Sequence, residues 1–318
     1  MNGQDTHGSQ RFADSQTAQN YPLPCSGDLT WQKTHDTALC RLRIGHISAG
    51  SIIIPSLSIP SAGDYAYEVD LIHGDTRWSL PPVPNSPNLA PRQVDGAAAR
   101  ISTHVDCFHV HQPSGPLTLE YRVRCSDAPE HYLVTATWRP LQIEAPVGPQ
   151  SSVCCTPPPA LSQISQGGSL GPRICSPACL CMALRGYHAE ADLMQIADEC
   201  YDPATNLYGV WPNAIRAAAR RGFVGATEAF ASWADAERVL AHGYPLIASV
   251  RFASGKLPGA PLEATRGHLM LIHGTSPECV VVNDPAAPQV ASVPRTYDAE
   301  AFTRAWLSYR GAAYILLP

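Results

Sequence analysis

The spacing of hydrophobic positions changes near the middle of the chain. Between residues 29 and 145, apolar and polar residues alternate over short runs, most clearly in 117–124, where apolar side chains occupy every second position. Such alternation is typical of half-buried antiparallel strands. No segment of useful length in this part has the period of a helix. We therefore predict an antiparallel β-sandwich over residues 26–145.

After residue 160 the pattern indicates helices first and strands later. The predicted helices begin near Cys175, Ala189, Pro212 and Trp233, and strands follow at 245–252, 268–273 and 279–283. A short helix near 298–306 and a last strand at 312–317 complete the pattern. Helices followed by an antiparallel sheet make an α+β domain, which we place at residues 160–318.

Polar and proline-rich segments flank these two domains. Residues 1–25 are small and polar, and we expect a disordered tail there. Residues 146–159 contain prolines, serines and a glycine, which predicts a linker. A length of 318 residues agrees with two domains of ordinary size.

Composition and charge narrow the possible partners. The net charge of −5 argues against nucleic acid as the main partner, because nucleic-acid binding usually needs a basic surface. No stretch is long and apolar enough for a membrane span. The polar start lacks the layout of a secretory signal, and 11 cysteines cannot all pair within the chain. We therefore expect a cytoplasmic protein with reduced thiols, and the sequence leaves its oligomeric state open.

Cys175 is the first candidate for chemistry. It follows a polar, glycine-rich loop and precedes Ser176-Pro177 and an apolar run. Proline is favoured in the first turn of a helix, so Cys175 is expected at a helix N-terminus. The free N–H groups and the positive dipole end there favour a thiolate over a thiol. This predicts a nucleophilic cysteine.

A cysteine nucleophile needs a base and a group that orients the base. His268 begins one predicted strand, and Asp284 follows the next strand. A hairpin symmetric about Ser276 places the two residues directly opposite each other, with Cβ atoms about 5 Å apart. A slip of one residue would turn one of them to the other face. We predict His268 as the base and Asp284 as the orienting carboxylate.

Other cysteine and histidine residues are interpreted as structural rather than catalytic. Cys179 is the rival nucleophile if the helix begins later than expected, and His273 alternates to the opposite face from His268. Cys107, His109 and His111 would share one face of a strand, but no second ligand pair accompanies them. We interpret them as ordinary sheet residues, and we predict neither a metal nor a cofactor.

The C-terminal half resembles the papain-like superfamily and, within it, the bacteriocin-processing (double-glycine-type) peptidases and their bacterial relatives. The segments that carry the resemblance are 165–166, 174–177, 208–213, 243–249, 267–269 and 283–285. The resemblance implies a papain-like fold with Cys175 as nucleophile, His268 as base, Asp284 as orienter and an upstream glutamine as oxyanion donor. Gln166 is the candidate for that donor, nine residues before Cys175, and Gln163 is the alternative.

Together these features predict a cysteine peptidase that hydrolyses a peptide or amide bond through a thioester intermediate. Its partner would be a peptide or protein substrate. Two alternatives stay open on the sequence. One is a non-catalytic peptide-binding module on the same fold, and the other is a transglutaminase-like acyl transfer to an amine.

Overall fold

The computed structural model describes residues 7–60, 65–85, 100–125, 127–166 and 168–318, with the side chain of Gln166 excepted. The fold is α+β, as predicted: an N-terminal pair of antiparallel sheets is followed by a papain-like domain of helices and one large antiparallel sheet. No helix in the described residues is long and apolar enough to cross a membrane.

The described residues of the N-terminal domain form short strands and one short helix. In chain order they are β1 (Gly8–Ala13), α1 (Ser15–Asn20), β2 (Gln32–Lys33), β3 (Thr37–Gly45), β4 (Ser51–Ser58), β5 (Ala66–His73), β6 (Thr76–Ser79), β7 (Ile101–Thr103), β8 (Phe108–Val110), β9 (Leu117–Arg124) and β10 (Leu133–Pro140). One sheet has the order β1-β10-β4-β8-β7 and the other has the order β2-β3-β9-β5-β6.

The two N-terminal sheets enclose a common hydrophobic core. Leu119 and Tyr121 of β9, Ile53 of β4 and Val134 of β10 all belong to it and are fully buried. Apolar residues at every second position of facing strands produce this layer, as expected for a sandwich.

The C-terminal domain has one seven-stranded sheet and five helices. Its elements are β11 (Val153–Cys154), α2 (Cys175–Gly186), α3 (Leu193–Cys200), α4 (Trp211–Ala219), β12 (Val224–Ala229), α5 (Trp233–Ala241), β13 (Leu246–Phe252), β14 (Thr265–Thr275), β15 (Cys279–Asn283), β16 (Pro294–Asp298), α6 (Ala299–Leu307) and β17 (Ala312–Leu317). The sheet order is β12-β17-β13-β14-β15-β16, and β11 pairs with the end of β14.

Helices cover both faces of this sheet. Ile247, Leu269 and Leu271 pack with the helices α2, α3 and α4, whereas Met270 and Ile272 pack with α5 and α6 on the other face. Alternation along β13 and β14 thus separates two cores. The N-terminus of α2 is thereby held against β14, the strand that carries His268.

The two domains pack tightly, with β4 between them. All eight residues of β4 are buried, because Ile53 faces the sandwich core while Ile52 and Ile54 face the core around α2. The hydroxyls of Ser56 and Ser58 accept hydrogen bonds from the edge strand β12. Side chains of the sandwich therefore satisfy N–H groups that an exposed edge would leave unpaired.

The prediction of a disordered tail over residues 1–25 is wrong for the segment that begins at Gly8. Strand β1 pairs with β10 along its full length. The Arg11 guanidinium donates two hydrogen bonds of 2.7 and 2.6 Å to Glu228 of the other domain, and the Tyr21 hydroxyl donates a third. Pairing with a distant strand and a buried ion pair offset the low hydrophobicity of this segment. Residues 1–6 lie outside the described part of the chain.

Two further elements differ from the sequence-based expectation. Strand β12 lies between α4 and α5, where no strand was predicted, and it forms one edge of the large sheet. Within the expected linker 146–159, Val153 and Cys154 pair with Thr275 and Gly274 of β14. The linker therefore contributes a short strand to the C-terminal sheet.

Candidate active site

The loop before Cys175 is held in place by buried polar contacts. The side-chain amide of Gln163 donates a 2.8 Å hydrogen bond to the Gly171 carbonyl, and the Gln163 N–H donates to the Pro285 carbonyl. A Cβ atom at Gly171 would lie 3.0 Å from the Gln163 carbonyl oxygen, so a larger residue would force the backbone to shift, and glycine suits this close approach. These contacts fix where the helix α2 begins.

Cys175 is the first residue of α2, as predicted, and Pro177 lies in the first turn. The residue before it, Ile174, provides no side-chain cap. The first N–H groups of the helix are therefore directed toward the site rather than toward a capping side chain. Cys175 is half-buried.

The surroundings of Cys175 stabilise its thiolate. Burial by itself raises the pKa of the thiol. The hydrogen bond and charge of His268 lower it, and so do the backbone N–H groups of Leu269 and Ser176. Together these effects outweigh burial, and the pKa of Cys175 lies below its usual value. The anion is thus favoured by an imidazolium and by two aligned N–H donors.

His268 and Asp284 form a buried pair. His268 is 2% exposed and Asp284 is fully buried, and the Nε2 atom of His268 lies 2.8 Å from Oδ1 of the carboxylate. Burial lowers the pKa of His268, yet its bonds to Asp284 and Cys175 raise that pKa to about 10. Because Nε2 is engaged by Asp284, Nδ1 is the nitrogen left for Cys175.

Three donors hold the Asp284 carboxylate. His268 and the Tyr297 hydroxyl, at 2.9 Å, donate to its two oxygens, and the Ala286 N–H donates at 3.0 Å. Burial raises the pKa of Asp284, but these donors outweigh burial and lower it. Tyr297 was not identified from the sequence, since a lone tyrosine on the outer strand β16 carries no motif.

The predicted register of the hairpin is wrong, although the predicted pair is formed. Leu271 pairs with Asn283, and a bulge lies between Ile272 and Gly274. In that register Asp284 does not lie directly opposite His268. It lies opposite a position of β14 that is two residues from His268. A slip of two residues keeps both side chains on one face, and diagonal neighbours on a ladder remain within reach.

The structure describes the side chain of Gln163 but not that of Gln166. Gln166 ends a short turn of 3-10 helix at Ile164–Gln166, and its side chain lies outside the described residues. Gln163 is buried, and its amide is used to hold the Gly171 carbonyl. Gln163 therefore positions the loop, and Gln166 stays a prediction as oxyanion donor.

Cys179 and His273, which were not chosen as catalytic residues, are both buried. Cys179 is fully buried, its Sγ donates to the Leu269 carbonyl at 3.3 Å, and burial raises its pKa well above the usual value. His273 is buried at the bulge of β14, and burial lowers its pKa. These surroundings do not suit Cys179 to act as a thiolate near neutral pH.

The cysteine and histidines near β8 do not converge on one point. Cys107 Sγ lies 3.8 Å from His109 Nε2, but the His111 ring bonds to the Ser102 hydroxyl at 2.8 Å. Within the described ranges, no group of three or more His, Cys, Asp or Glu side chains is arranged to hold a metal ion.

A cleft of ≈ 500 Å³ opens at Cys175 and is lined by both domains. Asp106, from the loop between β7 and β8 of the sandwich, reaches this cleft beside Arg310 of the other domain. Burial raises the pKa of Asp106 to about 6, although Arg310 and the Trp211 N–H oppose this rise. Neither residue is recognisable as a site residue from the sequence, because residues 106 and 310 meet only through domain packing.

Comparison with known proteins finds similar proteins for the C-terminal half of the chain. Residues 158–314 match the model of the Peptidase_C39 like family. Similar solved structures include a putative C39-like peptidase from Bacillus anthracis, with 17% identity over 53% of this chain and 98% of that chain, and a TM-score of 0.41. A double glycine motif protease from an AMS/PCAT transporter, solved with its leader peptide, has 19% identity over 53% and 99% of the two chains, and a TM-score of 0.35.

The peptidase domain of Streptococcus ComA is a further likeness, with 16% identity over 46% of this chain and 93% of that chain, and a TM-score of 0.34. No curated protein matches the chain. The support for a cysteine peptidase comes from the family match and not from these structural likenesses. Residues 158–314 are therefore similar to the Peptidase_C39 like family, and this match supports a cysteine peptidase.

Proposed function

We propose that this protein is a cysteine peptidase that hydrolyses a peptide or amide bond with Cys175 as nucleophile, His268 as base and Asp284 as the residue that orients the base. The contact that carries the proposal is the buried 2.8 Å bond between His268 and Asp284, next to a half-buried cysteine with a lowered pKa. A nucleophile, a base and an orienter in this order are the requirements of covalent acyl transfer.

In the first step the His268 side chain holds the proton of Cys175, and the thiolate attacks the carbonyl carbon of the substrate. The negative charge that develops on the carbonyl oxygen is held by the Cys175 N–H and by Gln166. The imidazolium then gives its proton to the leaving amine, and the acyl group stays on sulfur as a thioester. Water activated by His268 attacks this thioester, which releases the acid and restores the thiol.

The buried carboxylate of Asp284 makes this sequence of proton transfers efficient. Its bond to Nε2 fixes the ring so that Nδ1 faces the sulfur, and its charge stabilises the imidazolium. The donors Tyr297 and Ala286 keep the carboxylate itself in place.

A thiol-directed probe tests the proposal directly. We expect iodoacetamide at pH 7 to modify Cys175 faster than the exposed Cys154, as measured by mass spectrometry of the two peptides, and we expect a Cys175→Ala variant to lose all peptidase activity. Slow modification of Cys175, or activity that survives the substitution, would contradict the proposal.

The products separate this function from the other two hypotheses. A hydrolase forms a free carboxylate, whereas acyl transfer to an added amine forms a new amide of higher mass. Peptide binding by the wild type without any cleavage would favour the non-catalytic module.

A further inference from the structure

The cleft beside Cys175 is lined by positively charged side chains. Arg251 and Arg266 are exposed and lie next to each other at the irregular end of the β13–β14 pairing, close in sequence to His268. Neighbouring like charges on a ladder destabilise a sheet. Among the residues that the structure describes, neither arginine forms an ion pair within 4.0 Å, so none of these residues offsets the cost with an opposite charge.

Aromatic rings hold the guanidinium groups in place. Arg251 stacks over Tyr309 at 4.7 Å, Arg173 stacks over Tyr208 at 5.0 Å, and Arg310 lies 5.5 Å from Tyr309. A ring face orients a cation without neutralising its charge. Arg251 and Arg173 are therefore positioned by aromatic rings, and their charge stays available to a ligand, whereas Arg310 lies beside Asp106.

Acidic side chains are scarce in the same region. Of the described residues that line the cleft, Asp106 is the one carboxylate, and it lies beside Arg310. A second depression of ≈ 600 Å³ adjoins the cleft, shares Arg251 and Arg266 with it, and has no carboxylate among its described lining residues. The chain as a whole has a net charge of −5, so the excess of positive charge along this groove is not a property of the whole chain.

A groove lined by one sign of charge concentrates ligands of the opposite sign and accelerates their binding. We propose that the groove selects peptides that carry carboxylates close to the bond that is cleaved, with Arg251 and Arg266 as the main selecting residues. The proposal rests on the peptidase function proposed above and specifies its substrate class. A peptide is favoured because the charges border the carbonyl-attacking cysteine rather than a separate surface.

Two peptide pools test the selection. Pools of fluorescent nonapeptides are identical except that alternate positions carry Glu in one pool and Gln in the other. We expect the Glu pool to bind the Cys175→Ala variant about tenfold more tightly at low salt, since two exposed charge contacts each contribute a few-fold. The preference should shrink as salt is added. The same ratio is expected for cleavage by the wild type.

Variants at the groove provide the matched controls. An Arg251→Glu/Arg266→Glu variant is expected to prefer the Gln pool, and an Arg251→Gln/Arg266→Gln variant is expected to show no preference. Arg43→Glu, an exposed arginine on the sandwich, should keep the wild-type preference. Thermal unfolding checks that each variant is folded.

Failure of this inference differs from failure of the proposed function. Equal binding of the two pools by Cys175→Ala, or a preference that survives the Arg251→Glu/Arg266→Glu change, would overturn the charge selection. Binding of the Glu pool without cleavage by the wild type would overturn the peptidase function and support the selection.

Discussion

Replacing Asp284 by asparagine should raise the pKa of Cys175 and slow its reactions. The change keeps the shape of the side chain but removes the charge that accepts the 2.8 Å hydrogen bond from His268. A hydrogen bond to a buried charged group contributes about 1.5–3 kcal/mol. Each tenfold change corresponds to about 1.4 kcal/mol, so the thiolate–imidazolium pair should become roughly 10- to 100-fold less populated.

The assay is the rate of alkylation of Cys175 by iodoacetamide between pH 5 and pH 9, followed by mass spectrometry. At pH 7 the Asp284→Asn variant should react roughly 10- to 100-fold more slowly than the wild type, because burial then acts on the thiol without a charged partner. Cys154, which is exposed, provides an internal reference for the reagent in every sample.

A Tyr297→Phe variant is the matched control. It removes one of the three donors to the Asp284 carboxylate and leaves the charge in place, so we expect less than a tenfold change. Equal alkylation rates for the wild type and Asp284→Asn across the pH range would refute the reasoning, since the carboxylate would then have no effect on the sulfur.

Three further results are expected. Cys179→Ala should lower the free energy of unfolding by about 1–3 kcal/mol in urea denaturation, while alkylation of Cys175 stays fast. Because the pKa of His268 is raised to about 10, its proton is held below that pH, and kcat/KM should fall as the pH rises through about 10. Arg11→Met should destabilise the fold by about 3–5 kcal/mol in urea denaturation, and Arg11→Met/Glu228→Gln should recover much of this loss, because the single change leaves a buried charge unpaired.

Local signals in the sequence determined much of the C-terminal domain. Pro177 in a first helical turn predicted the start of α2 at Cys175, and the helix predicted to begin near Trp233 is α5, which begins at that residue. Alternation along 117–124 predicted a half-buried strand. Each of these features depends on residues a few positions apart, which is why the chain alone reveals them.

Register and the meeting of distant segments were decided by the tertiary structure. The position of the turn and the bulge in β14 together set Asp284 two positions away from the predicted pairing with His268, and only the packing of neighbouring strands fixes where such a bulge forms. The polar segment at residues 8–13 became a strand because β10 offered an edge and Glu228 offered a charge partner.

Cys175, His268 and Asp284 were therefore predicted from the sequence as the candidate nucleophile, base and orienting residue, whereas the groove around them was not predicted. Asp106 and Arg310 are about 200 positions apart and share a cleft only because β4 packs the sandwich against the large sheet. Helix starts and strand alternation are short-range properties of the chain, so the sequence determines them. Burial, charge and shape at a cleft between domains arise from contacts between distant segments, so only the tertiary structure decides them.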